Sequence, residues 1–147
     1  MTHVRPINEA RRDLSALYDE ITTLGREVVV INAKSKNRDS ISLVKTALLE
    51  EWLGIYGFSP EVFLDEETRT WNVHINELGL YAYADTREEA IEQAIDLVSD
   101  YTADYLERLQ LFLNIPDRRK HYPYIIRISH CRNRNELQKV LELNGDL

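Results

Sequence analysis

The run T-W-N-V-H-I-N at 70–76 changes polarity at every residue, and the run after it changes polarity at a longer period. Trp71, Val73 and Ile75 fall on one side of an extended chain; Asn72, His74 and Asn76 fall on the other. A period of two predicts an antiparallel strand with one buried face. Glu77 to Gly79 form a turn, and L-Y-A-Y-A at 80–84 returns as a second strand. In T-R-E-E, Thr86 and Glu89 then make a capping box. Ile91, Ala94, Val98, Tyr101, Tyr105 and Phe112 come next at helical spacing, so a long helix can run to about Asn114, with Pro116 as terminator. A sheet with one apolar face followed by a helix with one apolar stripe has to pack as two layers. E-V-F-L at 61–64 adds a strand ahead of the pair, separated from it by the turn D-E-E-T-R. H-Y-P-Y-I-I-R-I-S-H at 121–130 reads as a further strand, and N-R-N-E at 133–136 as the Asn-led start of a last helix reaching about Leu143. The fold class is α+β.

A separate hydrophobic programme precedes this one, with a break at G-I-Y-G-F-S-P (54–60). Asn8 reads as an N-cap for a helix carrying Ala10, Leu14, Leu17, Ile21 and Leu24. V-V-V-I at 28–31 and I-S-L-V at 41–44 read as strands around the polar loop N-A-K-S-K-N-R-D. T-A-L-L-E-E-W-L at 46–53 reads as a second helix. With Asn8 as cap, Arg11 and Arg12 enter the first helical turn, where the macrodipole disfavours each cation by roughly 0.3–1 kcal/mol. Cations beside free N–H groups suit a bound anion, such as DNA phosphate. The alternative is that Glu9 and Asp13 neutralise the pair.

The chain has 147 residues, 44% of them apolar, which fits one medium domain or two small ones and argues against disorder. It shows no apolar run of membrane-spanning length and no signal-peptide pattern. Cys131 is the only cysteine, so no internal disulfide framework exists. A cytoplasmic location is the expectation. The net charge of −7 argues against DNA binding until its distribution is considered. Residues 1–45 carry +2, residues 61–107 carry −11, and residues 108–139 carry +6. Local potential governs phosphate binding, not the total.

Glu88, Glu92, Asp96, Asp100 and Asp104 recur every four residues along the long helix. Each like-charge i,i+4 pair costs about 0.2–0.5 kcal/mol. The stripe is either a solubilising face or a surface for a basic partner. His121, His130 and Cys131 fit no zinc ligand spacing. His74 sits on the polar strand face among asparagines. No phosphate loop, zinc-protease motif or nucleophile elbow is present, so enzymatic function has little support. The basic run R-R-K-H-Y-P-Y-I-I-R at 118–127 could meet nucleic acid. Pairing with the neighbouring acidic helix is the better reading of it.

Two resemblances add to this. Residues 3–54, with Asn8, Glu9, Ala10, Arg11 and Leu14 in place of the S-E-A-R-x-x-L pattern, resemble the N-terminal domain of Phd/YefM-family antitoxins. That family carries an Arg-Gly hairpin, whereas this loop is longer and offers Lys34, Lys36 and Arg38. Residues 61–112 resemble the HicB-type antitoxin domain, with Gly79 as turn glycine and Asp85, Thr86, Glu89, Ala90 and Ala94 in its G-D-T-x-x-E-A-x-x-x-A helix start; Ala84 stands where Gly is usual.

The resemblances imply a Phd/YefM-like β-α-β-β-α dimerisation and DNA-binding domain at 1–57. A HicB-like domain at 58–147 would come after it, a reduced ribonuclease H-like antiparallel sheet with one long helix, holding the toxin. The function implied is that of a type II antitoxin. It would neutralise a basic, ribonuclease-type toxin by direct binding and repress its own operon as a homodimer on operator DNA, with no cofactor or metal. Arg5, Asn8, Arg11 and Arg12 are the expected DNA contacts, with Lys34, Lys36 and Arg38 on phosphates. Glu88, Glu92, Asp96 and Asp100 are the expected toxin contacts. Two alternatives stay open: a transcriptional regulator whose C-terminal domain senses a small molecule in a cavity lined by Trp71 and Tyr81, and a metal-dependent nuclease.

Overall fold

The computed structural model describes residues 3–37 and 39–144. Arg38 therefore lies outside the described residues. The chain divides into two compact units, Met1–Trp52 and Leu53–Leu147. The division falls upstream of the expected boundary at 57/58, because the segment just after Trp52 packs into the second unit. Phe58 is buried in the second core. Tyr56 meets Tyr124 edge-on at 5.5 Å, and Arg127 donates to the Tyr56 carbonyl at 2.9 Å.

In the first unit, β1 (His3–Pro6) leads into α1 (Ile7–Arg12) and α2 (Leu14–Leu24). Then come β2 (Val28–Ile31), β3 (Ser40–Leu43) and α3 (Thr46–Leu53), the last of which runs across the division. The sheet order is β1-β2-β3, with β1 parallel and β3 antiparallel to β2. The parallel pair needs a crossover, which α1 and α2 supply. Ala10, Leu17, Ile21, Val28 and Val30 form the core, with Leu43 partly buried against it.

Two expectations about the first helix are corrected. Asn8 does not cap it: the helix starts at Ile7, Pro6 occupies the cap position, and no side chain caps the first turn. The helix also stops at Asp13 before α2 begins. Arg11 and Arg12 consequently lie in the last turn of α1, not the first. There the negative end of the macrodipole stabilises them. The Pro6 ring presets the extended conformation that enters the helix, which a sequence search for hydroxyl or amide caps overlooks.

The second unit opens with a meander, β4 (Glu61–Asp65), β5 (Thr70–Ile75) and β6 (Leu80–Ala84), antiparallel in the order β4-β5-β6. Arg69 (φ 61°) and Gly79 (φ 65°) turn the two hairpins in left-handed conformations. The register sets Val62, Val73 and Ala82 in one row, and Trp71 opposite Ala84. These rows form the inner face. α4 (Arg87–Glu107) lies on it and buries Ala90, Ile91, Ala94, Ile95 and Val98. The Thr86 half of the expected capping box forms, with Thr86 Oγ1 accepting from the Glu89 N–H at 3.2 Å.

After α4 the chain is helical: α5 (Leu109–Leu113), α6 (Pro116–Arg119), α7 (Tyr122–Ser129) and α8 (Arg134–Val140). The long helix breaks at Arg108 instead of reaching Asn114, and Pro116 starts α6 instead of ending a helix. The expected strand at 121–130 is α7. Its buried residues His121, Ile125 and Ile128 are four and three apart, a helical period hidden in a run rich in β-branched and aromatic side chains. Pro123 is tolerated because it sits in the first turn, where no intrahelical N–H is needed. Asn133 caps α8 as expected, accepting from the Glu136 N–H at 2.9 Å.

Gly25 ends α2 in the left-handed conformation (φ 70°), and its N–H bonds the Ile21 carbonyl at 2.9 Å. A Cβ there would lie 3.4 Å from the Leu48 side chain. Gly25→Ala should destabilise the first unit by about 1 kcal/mol, through backbone strain more than crowding. Urea unfolding followed by circular dichroism should show the midpoint falling with an unchanged slope.

Candidate functional site

The register of the first sheet gathers the expected DNA-contacting residues at one end. Pro6, Ile31 and Ser40 lie in one row, and β1 and β2 run the same way. α1, which carries Asn8, Arg11 and Arg12, and the loop that carries Lys34 and Lys36 therefore start from the same end of the sheet. All five side chains are exposed. Arg5 is different: it is half-buried on β1, 4.0 Å from Glu9 and 3.9 Å from Glu20. Its charge is compensated within the fold. Asn32 Oδ1 accepts the Lys34 N–H at 3.1 Å and shapes the loop.

The acidic stripe of α4 is partly paired within the fold. Arg134 at the start of α8 reaches both Glu92 (2.5 Å) and Asp96 (2.7 Å), and also donates to the Glu92 carbonyl. Asp104 pairs with Arg108 one turn on, whose hydrogen bonds lower the Asp104 carboxyl pKa. Glu88 and Asp100 are exposed and make no ion pair among the described residues. The basic block does neutralise part of the acidic helix, but through Arg108 and Arg134. Within 118–127, Arg118 stacks on Tyr101 at 5.7 Å and Arg119 donates to the Leu113 carbonyl. No sequence signal points to Arg134, whose partners lie far back along the chain.

A polar aromatic knot ties α4 to α5, α6 and α7. Tyr105 is fully buried, donates to the Arg118 carbonyl at 2.7 Å, and stacks on Phe112 at 4.7 Å. Burial raises its pKa. Tyr101 Oη and His121 Nδ1 share a hydrogen bond of 2.7 Å, and Arg118 donates to the same hydroxyl. His121 is buried, and desolvation, helped by Arg118 and Lys120, lowers its pKa.

Trp71 and Tyr81 cannot line a common cavity, since Trp71 faces inward opposite Ala84 whereas Tyr81 sits opposite His74 on the outer face. No group of three or more potential metal ligands occurs among the described residues. None of the described helices is long and apolar enough to cross a membrane.

The lowered pKa of His121 gives a stability prediction with a definite sign. The unfolded chain binds a proton at the ordinary value of about 6.5 and the folded chain only at lower pH. Stability is therefore full above pH of about 6.5 and is lost as pH falls through the folded value. Unfolding free energies of the wild type and His121→Gln, compared at pH 7.5 and 5.5, should show the larger acid loss in the wild type.

No curated protein matches the chain in sequence. A crystal structure from Syntrophomonas wolfei subsp. wolfei, described as "an antitoxin part of a putative toxin/antitoxin system", superposes with a TM-score of 0.78 over 95% of this chain and 96% of that one. At 21% identity this likeness shows the shared fold. The sequence pattern of the family described as "PHD_like: antitoxin of toxin-antitoxin, RelE / RelB, TA system" matches residues 1–143, across both units. The chain belongs to this PHD-like antitoxin family, and an antitoxin implies a cognate toxin as its partner.

Proposed function

We propose that the chain is a type II antitoxin that binds its toxin directly through the second unit and represses its own operon through the first. On this reading the first unit is Phd/YefM-like and the second HicB-like. The observation that supports the DNA half is the Pro6–Ile31–Ser40 row, from which α1, bearing Asn8, Arg11 and Arg12, and the loop bearing Lys34 and Lys36 both start. Five exposed polar or basic side chains from a helix and a loop suit backbone-plus-base contact with a duplex. Arg38 is included with the loop by sequence. Arg5 supports the sheet end by its pairs with Glu9 and Glu20.

A homodimer completes this reading. The first unit buries few side chains and leaves Leu14, Tyr18 and Ile41 more than half exposed. An open apolar groove of about 540 Å³, lined by Leu14, Leu17, Tyr18, Ile21, Leu43, Val44 and Ala47, continues that surface. A two-fold dimer would cover it and demand a palindromic operator.

On the toxin side, Glu88 and Asp100 have no ion pair among the described residues, whereas Glu92 and Asp96 are engaged by Arg134. The acidic helix then contributes by steering a basic toxin, which acts on association rate more than on final affinity. Location in the cytoplasm and absence of a cofactor belong to the same reading.

Two experiments test the halves separately. In fluorescence anisotropy on the operon's own promoter DNA, Arg11→Ala should cost roughly 1–3 kcal/mol if it reads a base. Lys36→Ala should instead lower the salt slope by about one unit. Wild-type affinity for both removes the proposed site. For the toxin, the product of the adjoining reading frame should co-purify with the full chain. The double variant Glu88→Gln/Asp100→Asn should slow its association severalfold at low salt, with the difference shrinking as salt rises.

A further inference from the structure

The outer face of the second sheet carries an arrangement that core packing does not explain. Along β6 the alanines point inward: Ala82 and Ala84 are buried, while Tyr81 is 58% and Tyr83 67% exposed. The register sets Tyr81 beside His74 and Glu61, and Tyr83 beside Asn72 and Phe63. Phe63, His74 and Tyr81 form a chain of edge-on rings at 5.1 and 4.6 Å. Phe63, His74 and Tyr81 thus brace one another on this face, and Tyr83 stands exposed beside them. α4 lies along the opposite face of this sheet.

Its charge decides what such a platform fits. β4, β5 and β6 contain no lysine or arginine. Glu61 and Asp65 share the side of Phe63, and Glu66 and Glu67 stand in the turn ahead of Arg69. Aromatic platforms for single-stranded nucleic acid need a cationic groove for the phosphates. This face offers the reverse. Exposed tyrosines and a phenylalanine rimmed by carboxylates match the composition of protein-binding hot spots, and the rim selects a basic surface.

We propose that the outer face of β4-β5-β6, centred on Tyr81, Tyr83 and Phe63 with Glu61 at its rim, is the surface on which a basic face of the toxin docks. This rests on the reading that the second unit binds toxin directly, and it places the contact on the sheet. The acidic stripe of α4, on the other side of the layer, then acts at a distance.

The test uses the full chain and the purified product of the adjoining reading frame, with affinity read by biolayer interferometry. Tyr81→Ala/Tyr83→Ala should weaken binding by about 100-fold or more with an unchanged melting curve, as for hot-spot residues. Tyr83→Lys and Tyr83→Glu separate the charge argument from loss of the ring: both remove it, but only lysine repels a basic surface. Lysine should therefore cost at least about tenfold more than glutamate. Wild-type affinity in the double alanine variant, or equal losses for lysine and glutamate, overturns the proposal while leaving direct toxin binding intact. Absence of any complex with the wild-type chain removes the underlying reading instead. A labelled oligouridine that binds the wild type and is released by the double alanine variant would assign the face to nucleic acid and overturn the proposal.

Discussion

The contact between α4 and the inner face of β5 and β6 organises the second unit. Four of its side chains are alanines, Ala82 and Ala84 from the strand and Ala90 and Ala94 from the helix, with Val73, Ile75, Ile91, Ile95 and Val98 around them. Methyl groups at the centre of a helix–sheet contact leave room for the backbone layers to approach closely. That small core has a consequence for β6, because successive residues alternate faces. A strand that gives its alanines to the helix gives its tyrosines to the opposite side. Burial alone would favour the reverse, since a ring removes far more apolar surface from water than a methyl group. The packing of α4 and the aromatic outer face are thus two outcomes of one register.

Electrostatics in this chain is settled between segments remote in sequence. Residues 61–107 carry −11 and residues 108–139 carry +6. Arg134 joins the blocks by bridging Glu92 and Asp96. The bridge also relieves repulsion between two carboxylates one turn apart on α4. The pairs are exposed, so their contribution to stability is modest. They also divide the stripe: Glu92 and Asp96 are paired within the fold, while Glu88 and Asp100 stay open to solvent. In the first unit the break at Asp13 has a comparable effect. It turns two arginines from a disfavoured helix start to a favoured helix end, so their presence no longer demands a bound anion.

Sequence patterning was most legible where one period ran without interruption. The alternation at 70–76, the Thr86 cap and the Asn133 cap all appear as read, because each depends on neighbours within a few residues. Misreadings arose where local preference and tertiary packing disagreed. Residues 121–130 are rich in tyrosine and isoleucine, which favour strands, yet His121, Ile125 and Ile128 line one helical face. α1 ends at Asp13 although the apolar stripe continues through Leu14, so periodicity passes over the break. At the candidate sites, the acidic stripe and the basic residues of the first unit were visible as patterns. The pairing of Glu92 and Asp96 with Arg134 was not, since an ion pair across helices leaves no local trace. The inverted β6 pattern, tyrosine out and alanine in, was present in L-Y-A-Y-A but cannot be assigned a direction until the helix shows which face is inside.

The two units also differ in how self-sufficient their cores are. Among the described residues, the second buries eighteen in one cluster, including Tyr105, Ile125 and Leu141. The first buries five, two of them valines on one strand, and exposes leucine, tyrosine and isoleucine side chains around an open groove. A fold with so small a core gains stability from whatever covers its apolar surface, and that gain grows with the concentration of the partner. On the dimer reading, the ordering of the sheet end that bears Asn8, Arg11, Lys34 and Lys36 is then tied to self-association. Occupancy of operator DNA would depend on antitoxin concentration more steeply than a monomer's would. The second unit, with a complete core and an outward aromatic face, needs no such assistance to present its surface. On that reading the chain would separate a concentration-dependent module from a preformed one, and the difference would originate in the number of apolar side chains each segment encloses.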